Sequence, residues 1–244
     1  MQSVAAAPLV CLPGLLCDAR VFAAQCEAFP GTIAVDGFGE RRSLTVMAVH
    51  ALAAAPPRLA LLGHSMGARV ALEMWRLAPE RIDRLALVST GIHPPRAGEA
   101  EKRHALRDLG LREGAAALVD AWLPPMVAPA NRVPALVEPL RRMCIDAGTA
   151  VFAAQIEALL ARPAVDDLLP AITCPVLVAV GSEDVWSPPD QHRAIAAAIP
   201  GARLTVVAGA GHMLPAEAPD ELNAAIADWL ARPTKRHDQS IGEA

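Results

Sequence analysis

Aromatic residues are scarce in this sequence, which contains no tyrosine, four phenylalanines and four tryptophans. Apolar residues still make up 53% of the 244 residues, and many of them are alanine. A chain of this length and composition can bury a sizeable core, in one large domain or two small ones. The alanine-rich interior favours closely packed helices but indicates nothing about chemistry.

Several patterns that point to particular partners or compartments are also missing. The net charge is −4 and no basic stripe is present, so nothing argues for nucleic-acid binding. The opening MQSVAAAPLVCLPG has no Lys or Arg before its apolar stretch and makes a poor signal peptide. No apolar run reaches the roughly 18 residues that a membrane span needs. We therefore expect a cytoplasmic protein without a membrane span.

The cysteines give no sign of a disulfide framework, because they are odd in number and none forms a CxxC pair. Several lie in apolar runs, which favours buried, reduced thiols. The five are Cys11, Cys17, Cys26, Cys144 and Cys174.

Short apolar runs bounded by Gly, Pro, Ser or Asp recur along the chain and predict β-strands. The runs are continuous, which is typical of parallel strands covered on both faces. Helical periodicity separates them, and this alternation predicts an α/β fold with a mostly parallel sheet of about six strands. The predicted strands cover 8–12, 32–36, 58–63, 84–89, 175–181 and 203–209. The predicted helices cover 18–29, 43–55, 66–78, 188–199 and 219–232.

One segment, 91–168, interrupts this alternation. It has prolines, helical pieces and mixed charges but no clear strand, so it is interpreted as a helical insertion. The core then consists of 1–90 and 169–232. The polar stretch 233–244 has no periodicity and is predicted to be a flexible tail.

A G-x-S-x-G sequence, Gly63 to Gly67, lies where a predicted strand ends and a helix begins. A tight turn there would expose Ser65 at its apex, with glycines where a Cβ would collide. The helix N-terminus would favour a developing negative charge. A plain Ser/Gly turn is the other interpretation, but the strand–turn–helix context favours a nucleophile.

A nucleophilic serine needs a base, and His212 is the best placed of seven histidines. It lies in the glycine-rich loop AGAGHMLPAEAP, just after a predicted strand, where an imidazole can reach over the sheet edge. The others lie on predicted helices (His50, His192), in the tail (His237), beside the serine and facing away from it (His64), or at the start of the insertion (His93, His104).

The base needs a carboxylate to orient it. Asp184 lies in VAVGSEDVWSPP, again just after a predicted strand, whereas its neighbour Glu183 would point elsewhere. Asp166 and Asp167 fit helix capping instead. The resulting order along the chain is serine, aspartate, histidine.

An oxyanion requires two backbone N–H donors. Met66 follows the serine and supplies one. The segment LPGLLCD, 12–18, follows an early strand and offers the N–H of Leu15, although by itself it reads as a simple Pro-Gly turn.

With these residues in place the chain resembles the α/β-hydrolase fold serine hydrolases of carboxylesterase type. The resemblance covers nearly the whole chain and is strongest in PLVCLPGLL, LALLGHSMGARVALEMWRLAPERIDRLALVST, PVLVAVGSEDVWSPP and GAGHMLPAEAPDELNAAIADWL. It implies Ser65 as nucleophile, His212 as general base, Asp184 as its partner, and the N–H groups of Leu15 and Met66 as the oxyanion hole. It also implies that 91–168 forms a cap over the site.

The sequence departs from the family pattern in three ways. Many relatives have His-Gly where this chain has Pro13-Gly14, and often Gly where Ala68 stands. The usual first two antiparallel strands are absent. A serine at position 65 argues against a dehalogenase or epoxide hydrolase, which use aspartate.

The expected reaction is acyl transfer from an ester or thioester to water, without cofactor or metal, on a small-molecule acyl substrate. A lyase or carbon–carbon bond hydrolase using the same three residues is an alternative, as is a non-catalytic ligand-binding relative. The oligomeric state is open. An apolar pocket could be formed by Leu15, Leu16, Trp122, Met126, Met213 and Leu214, each of which also fits core packing.

A basic cluster at the start of the insertion allows two interpretations. It could meet an anionic acyl group or a carrier's phosphate. It could equally be a solvated helix face balanced by Glu99, Glu101, Asp108 and Glu113. The cluster consists of Arg96, Lys102, Arg103, Arg107 and Arg112.

Overall fold

The computed structural model describes residues 7–234. Its centre is one sheet of six strands, all parallel, in the order β2-β1-β3-β4-β5-β6. All six predicted strands are present, and the predicted α/β fold is confirmed. The strands are β1 (Leu9–Leu12), β2 (Ile33–Ala34), β3 (Leu59–His64), β4 (Ile82–Val88), β5 (Val176–Gly181) and β6 (Arg203–Val207).

Nine α-helices lie among the described residues, and all five predicted helices are among them. A 3₁₀ turn, Ala19–Phe22, leads into the first. The helices are α1 (Ala23–Ala28), α2 (Leu44–Ala54), α3 (Met66–Leu77), α4 (Glu99–Glu113), α5 (Ala115–Trp122), α6 (Pro134–Leu160), α7 (Pro189–Ala198), α8 (Leu214–Glu217) and α9 (Pro219–Leu230).

The core lies on both sides of the sheet, as the continuous apolar runs predicted. Every residue of β1, β3 and β5 is buried. The helices α2 and α3 pack against each other, and each buries small residues, Ala48 in α2 and Ala71 in α3. All five cysteines are free thiols, three of them buried.

The stretch 91–168 contains α4, α5 and α6, which pack on one another, and no strand. The helix α6 is long and apolar enough to cross a membrane by length and composition alone, and 44% of its apolar window is buried inside the protein. It breaks at Gly148, whose φ of 85° is not helical. Neither part alone reaches the about 20 residues of a span.

Some sequence predictions fall outside the described residues. These are the start of the N-terminal stretch that was examined as a signal peptide (residues 1–6), His237, and the predicted tail from residue 235 onward.

Because all six strands are parallel, their carboxyl ends meet at one edge of the sheet. The loops after β1, β3, β5 and β6 therefore lie near one another. They carry Leu15, Ser65, Asp184 and His212, respectively.

Candidate active site

Ser65 occupies a sharp turn between β3 and α3, with φ 54° and ψ −115°. Glycines make this turn possible. A Cβ on Gly63 would lie 2.4 Å from the Cα of Ala68, and one on Gly67 would lie 2.1 Å from the carbonyl oxygen of Leu12. Such distances are far below van der Waals contact. The predicted need for two glycines is therefore explained by backbone collisions on both sides of the serine.

The strained serine is tied to the end of β4. Its N–H donates to the carbonyl of Val88 at 2.8 Å, and the Thr90 hydroxyl donates to the Ser65 carbonyl at 3.0 Å. The Thr90 N–H in turn donates to Nε2 of His192 at 2.9 Å. Burial lowers the pKa of His192 to about 4, so the ring is neutral and can accept this bond. Together these hydrogen bonds hold Ser65 in its strained backbone conformation, which would otherwise relax.

The three side chains singled out in the sequence form one hydrogen-bonded chain. The Ser65 Oγ lies 2.8 Å from His212 Nε2, and His212 Nδ1 lies 2.8 Å from Asp184 Oδ2. The other oxygen of Asp184 accepts the N–H groups of Trp186 and Ser187 at 3.0 and 2.8 Å. Both oxygens of the Asp184 carboxylate thus accept hydrogen bonds, which fixes the orientation of its plane.

The charge of Asp184 determines the tautomer of His212. Burial alone would raise the pKa of Asp184, but His212, by charge and hydrogen bond, and the Ser187 N–H outweigh burial and lower it. An ionised carboxylate only accepts hydrogen bonds, so Nδ1 carries the proton. The Nε2 lone pair is then free to accept the hydroxyl proton of Ser65. The neighbouring carboxylate, Glu183, is exposed at the surface.

His64 and Glu217 hold the His212 loop, and neither role was predicted from the sequence. His64 Nε2 lies 2.8 Å from the His212 carbonyl, and burial followed by the proximity of His212 lowers its pKa to about 4. The Glu217 carboxylate accepts the N–H groups of Gly211 and Met213, which flank the histidine, at 2.9 and 3.0 Å. His64 bonds a residue 148 positions away in the sequence, and Glu217 bonds backbone N–H groups. Neither contact has a local sequence pattern.

Leu15 and Met66, the residues of the two predicted oxyanion donors, both line the cavity beside Ser65. Within residues 7–234, no hydrogen-bond acceptor pairs with the N–H of Leu15 or of Met66. The loop carrying Leu15 lies directly on the serine turn, since a Cβ on Gly14 would be 3.2 Å from the Ser65 Cβ. The neighbouring Leu16, at φ 59°, donates its N–H to Gln155 Oε1 at 2.9 Å, which anchors the loop to α6.

A cavity of about 550 Å³ opens at Ser65. Of the six predicted pocket residues, Leu15, Trp122 and Met126 line it, whereas Leu214 is buried elsewhere. Leu16 and Met213 do not line it either: both are buried in the core, where their backbone N–H groups are held by Gln155 and Glu217. The apolar part of the wall comes from Leu15, Leu106, Trp122, Met126, Phe152, Leu159, Val185 and Trp186.

The five residues of the predicted basic cluster at the start of the segment 91–168 divide into two groups. Arg107 pairs with Asp108, and Arg112 is exposed. These two residues fit the interpretation as a solvated helix face. The other three line the cavity, together with Arg69 on α3 and Arg162 just after α6, which are not part of that cluster. The cavity-lining cations are Arg69, Arg96, Lys102, Arg103 and Arg162. Across the described chain, no group of three His, Cys, Asp or Glu is placed to hold a metal ion.

Comparison with known proteins gives one family match. The model of the alpha/beta hydrolase family matches residues 9–225, which is most of the chain. The match includes the serine turn and the loops that carry Asp184 and His212.

Two curated relatives bear the name "Putative carbamate hydrolase RutD". The protein from Caulobacter sp. (strain K31) is 28% identical over 177 residues, and the match covers 71% of this chain but just under two thirds, 66%, of the relative. The protein from Klebsiella pneumoniae (strain ATCC 700721 / MGH 78578) is 30% identical over 187 residues, covering 73% of this chain and 68% of the relative.

Solved structures resemble the whole fold. A thermophilic esterase from Thermogutta terrifontis, solved with malate bound, is 30% identical with a TM-score of 0.83, over 92% of this chain and 89% of that one. The enol-lactonase from Burkholderia xenovorans LB400 is 24% identical with a TM-score of 0.82, over 93% and 92%. At that identity the second likeness concerns the fold alone.

Proposed function

The chain is a hydrolase that belongs to the alpha/beta hydrolase family, and on this premise we propose that it cleaves a small ester through an acyl-enzyme on Ser65. The observation that carries the proposal is the pair of 2.8 Å hydrogen bonds linking Ser65, His212 and Asp184. The 30% identical esterase structure supports an ester as the substrate bond. A cavity of about 550 Å³ fits a small molecule.

In the first step, His212 Nε2 takes the hydroxyl proton of Ser65 while Oγ forms a bond to the ester carbonyl carbon. Asp184 keeps the second ring proton on Nδ1 and stabilises the imidazolium that forms. The tetrahedral intermediate then collapses. Its bond to the alcohol breaks, the alcohol oxygen takes the proton from Nε2, and the acyl group stays on Ser65.

The carbonyl oxygen becomes negatively charged in the tetrahedral intermediate. The unpaired N–H groups of Leu15 and Met66 are proposed to bind it, and the N-terminus of α3 adds positive potential. Because the turn and its loop are fixed by the contacts described above, these donors need little rearrangement. Removing one such donor typically slows turnover by about 10²- to 10³-fold.

In the second step, water enters where the alcohol left. His212 Nε2 takes a proton from that water as its oxygen attacks the acyl carbon, and then returns the proton to Ser65 Oγ as the acyl–serine bond breaks. The products are the free carboxylic acid and the original enzyme. No other reactant is needed.

A carbamate is a second candidate substrate, because both curated relatives are named as carbamate hydrolases. It presents a carbonyl carbon bonded to nitrogen and oxygen, and the same attack by Ser65 would give a carbamoyl-enzyme. A matched ester and carbamate that share one alcohol therefore separate the two candidates by their kcat/KM values.

The proposal is tested by fluorophosphonate labelling and by turnover of a panel of short esters, thioesters and carbamates. Wild-type protein should be labelled at Ser65, give a burst of alcohol, and show an acyl adduct by intact mass. Ser65→Ala should lose all three. Turnover without an acyl adduct would favour the lyase or carbon–carbon hydrolase alternative, and labelling without any turnover would favour a binding protein.

A further inference from the structure

The cavity beside Ser65 carries far more positive than negative charge. Five guanidinium or ammonium groups line it, and Glu99 is the one carboxylate among its described lining residues. We infer that this wall, through Arg69, binds a carboxylate carried by the substrate, so that the preferred substrate is the monoester of a small dicarboxylic acid. This inference rests on the proposed function and names its substrate class.

Among the described residues, Arg69 is the cation of this wall whose buried guanidinium has an unpaired N–H group. It lies one helical turn after Ser65 on α3, lines the cavity and is only 4% exposed. Its Nη2 donates to the His93 carbonyl at 2.7 Å. Its Nη1 is buried and has no hydrogen-bond partner among residues 7–234. A buried guanidinium N–H is rarely left unpaired, so this group is a donor that a ligand in the cavity can satisfy.

The nearby carboxylate is already engaged and does not supply that acceptor. Glu99 receives two 2.7 Å hydrogen bonds from Arg162 and one of 3.0 Å from Arg103. Burial raises the pKa of Glu99, but these bonds outweigh it and lower the pKa to about 2. Two cations thus face one anion even before Arg69 is counted. The described ion pairs include none for Arg69, Arg96 or Lys102.

Burial outweighs the carboxylates near Arg69, which are Glu99, Asp166 and Glu73. Burial and then the nearby Arg162 lower its pKa to about 10, so it is still protonated near neutral pH but less favourably than an exposed arginine. A carboxylate in the cavity would supply the missing acceptor and a further negative charge. Planar bidentate pairing makes a guanidinium a specific site for a carboxylate.

The remainder of the wall suits the carbon chain between the two carboxyl groups. Trp122 and Phe152 contribute apolar surface, and Leu15 lies beside the nucleophile. A short methylene chain could therefore run from Ser65 along apolar side chains to the basic wall. This arrangement fits a four- to six-carbon diacid monoester, roughly, by the size of small-ligand cavities.

The test compares monomethyl glutarate with methyl hexanoate, a neutral ester of similar length, in wild type, Arg69→Met and Arg69→Lys. Wild type should prefer the charged ester in kcat/KM by about tenfold or more. Arg69→Met should lose about 10- to 100-fold on the charged ester and under about threefold on the neutral one. Arg69→Lys should restore part of the loss. Arg112→Met, on the exposed part of α4, is the control and should change neither.

Three results would overturn the inference. They are a wild-type preference for the neutral ester, an equal loss on both esters in the Arg69 variants, and stronger competitive inhibition by inorganic phosphate than by glutarate. The last would assign the wall to a phosphate group. Fluorophosphonate labelling of each variant shows whether the site is folded and reactive.

Failure of the proposed function would look different. Neither ester would then be hydrolysed, yet calorimetry could still measure glutarate binding to Ser65→Ala. Binding that is lost in the Ser65→Ala, Arg69→Met double variant would support the carboxylate site without any catalysis. No binding to Ser65→Ala would overturn it.

Discussion

At the scale of single residues, the candidate site depends on groups that act directly and groups that hold them. Ser65, His212 and Asp184 could be found in the sequence because each follows a strand, and a parallel sheet brings such loops together. Glu217 and His64 hold His212 through its flanking N–H groups and its carbonyl. A carboxylate bonded to backbone groups has no sequence signature, so its role emerged only from the fold.

Replacing His212 with alanine should abolish ester turnover, with a loss of about 10³-fold or more in kcat. The reason is that Nε2 is the only base within hydrogen-bond distance of the Ser65 hydroxyl among the described residues. The melting temperature should change little, because the loop carries its own support from Glu217. His50→Ala, on the exposed face of α2, is the control. If His93→Ala or His104→Ala abolished turnover while His212→Ala remained active, the assignment of His212 as the base would be refuted.

Replacing Asp184 with asparagine keeps the size of the side chain but removes its charge. The amide can donate to Nδ1, which favours the tautomer with the proton on Nε2 and blocks proton transfer from Ser65. We expect a loss on the order of 10⁴-fold in kcat with little change in KM, by analogy with other serine hydrolase triads. Glu183→Gln, one residue earlier and exposed, should be nearly normal. The reverse outcome would show that the carboxylate is misassigned by one position.

At the scale of elements, strands and helices of the core were predicted closely because long apolar runs and helical periods are local signals. The exception is β2, predicted over 32–36 and observed only at Ile33–Ala34. It is an edge strand whose Ile33 is 42% exposed, and it pairs with β1 over two residues only. The inward faces of α4, α5 and α6 were not predictable, since Arg103 and Arg107 lie one turn apart on the same helix but only Arg103 lines the cavity.

Trp122 at the end of α5 should determine which acyl chains are accepted. It is buried and lines the cavity, while all the proposed reacting groups lie outside 91–168. Trp122→Ala should therefore change the ranking of acetyl, butyryl and octanoyl esters, with fluorophosphonate labelling retained. Since truncating a buried tryptophan can cost about 3–5 kcal/mol, Trp122→Phe provides a milder variant. Trp75→Phe, in α3 and away from the cavity, is the control. An equal fall for every ester with a lower melting temperature would make Trp122 an ordinary core residue.

At the scale of the whole molecule, the fold buries ionisable groups, two histidines among them, whose burial was not predicted from the sequence. His192 was predicted on a helix, as a surface or packing residue, and His64 beside the serine but facing away from it. Both are fully buried and form hydrogen bonds with groups around the site. Their burial follows from the sheet, because β3 ends beneath the His212 loop and α7 packs against β5. Such long-range contacts are invisible in a single sequence.

This burial predicts how stability depends on pH. The pKa of each of these two histidines is lowered to about 4, whereas in the unfolded chain it is near its ordinary value of about 6.5. Between these values the unfolded chain binds more protons than the native protein, so the free energy of unfolding should fall as the pH falls from 6.5 to 4. Each histidine contributes a slope of up to about 1.4 kcal/mol per pH unit. Urea unfolding at several pH values should show a shallower slope in His192→Asn and His64→Asn, and an unchanged slope in the exposed His50→Asn. A wild-type stability that is flat over this range would mean that neither imidazole is held neutral in the native protein.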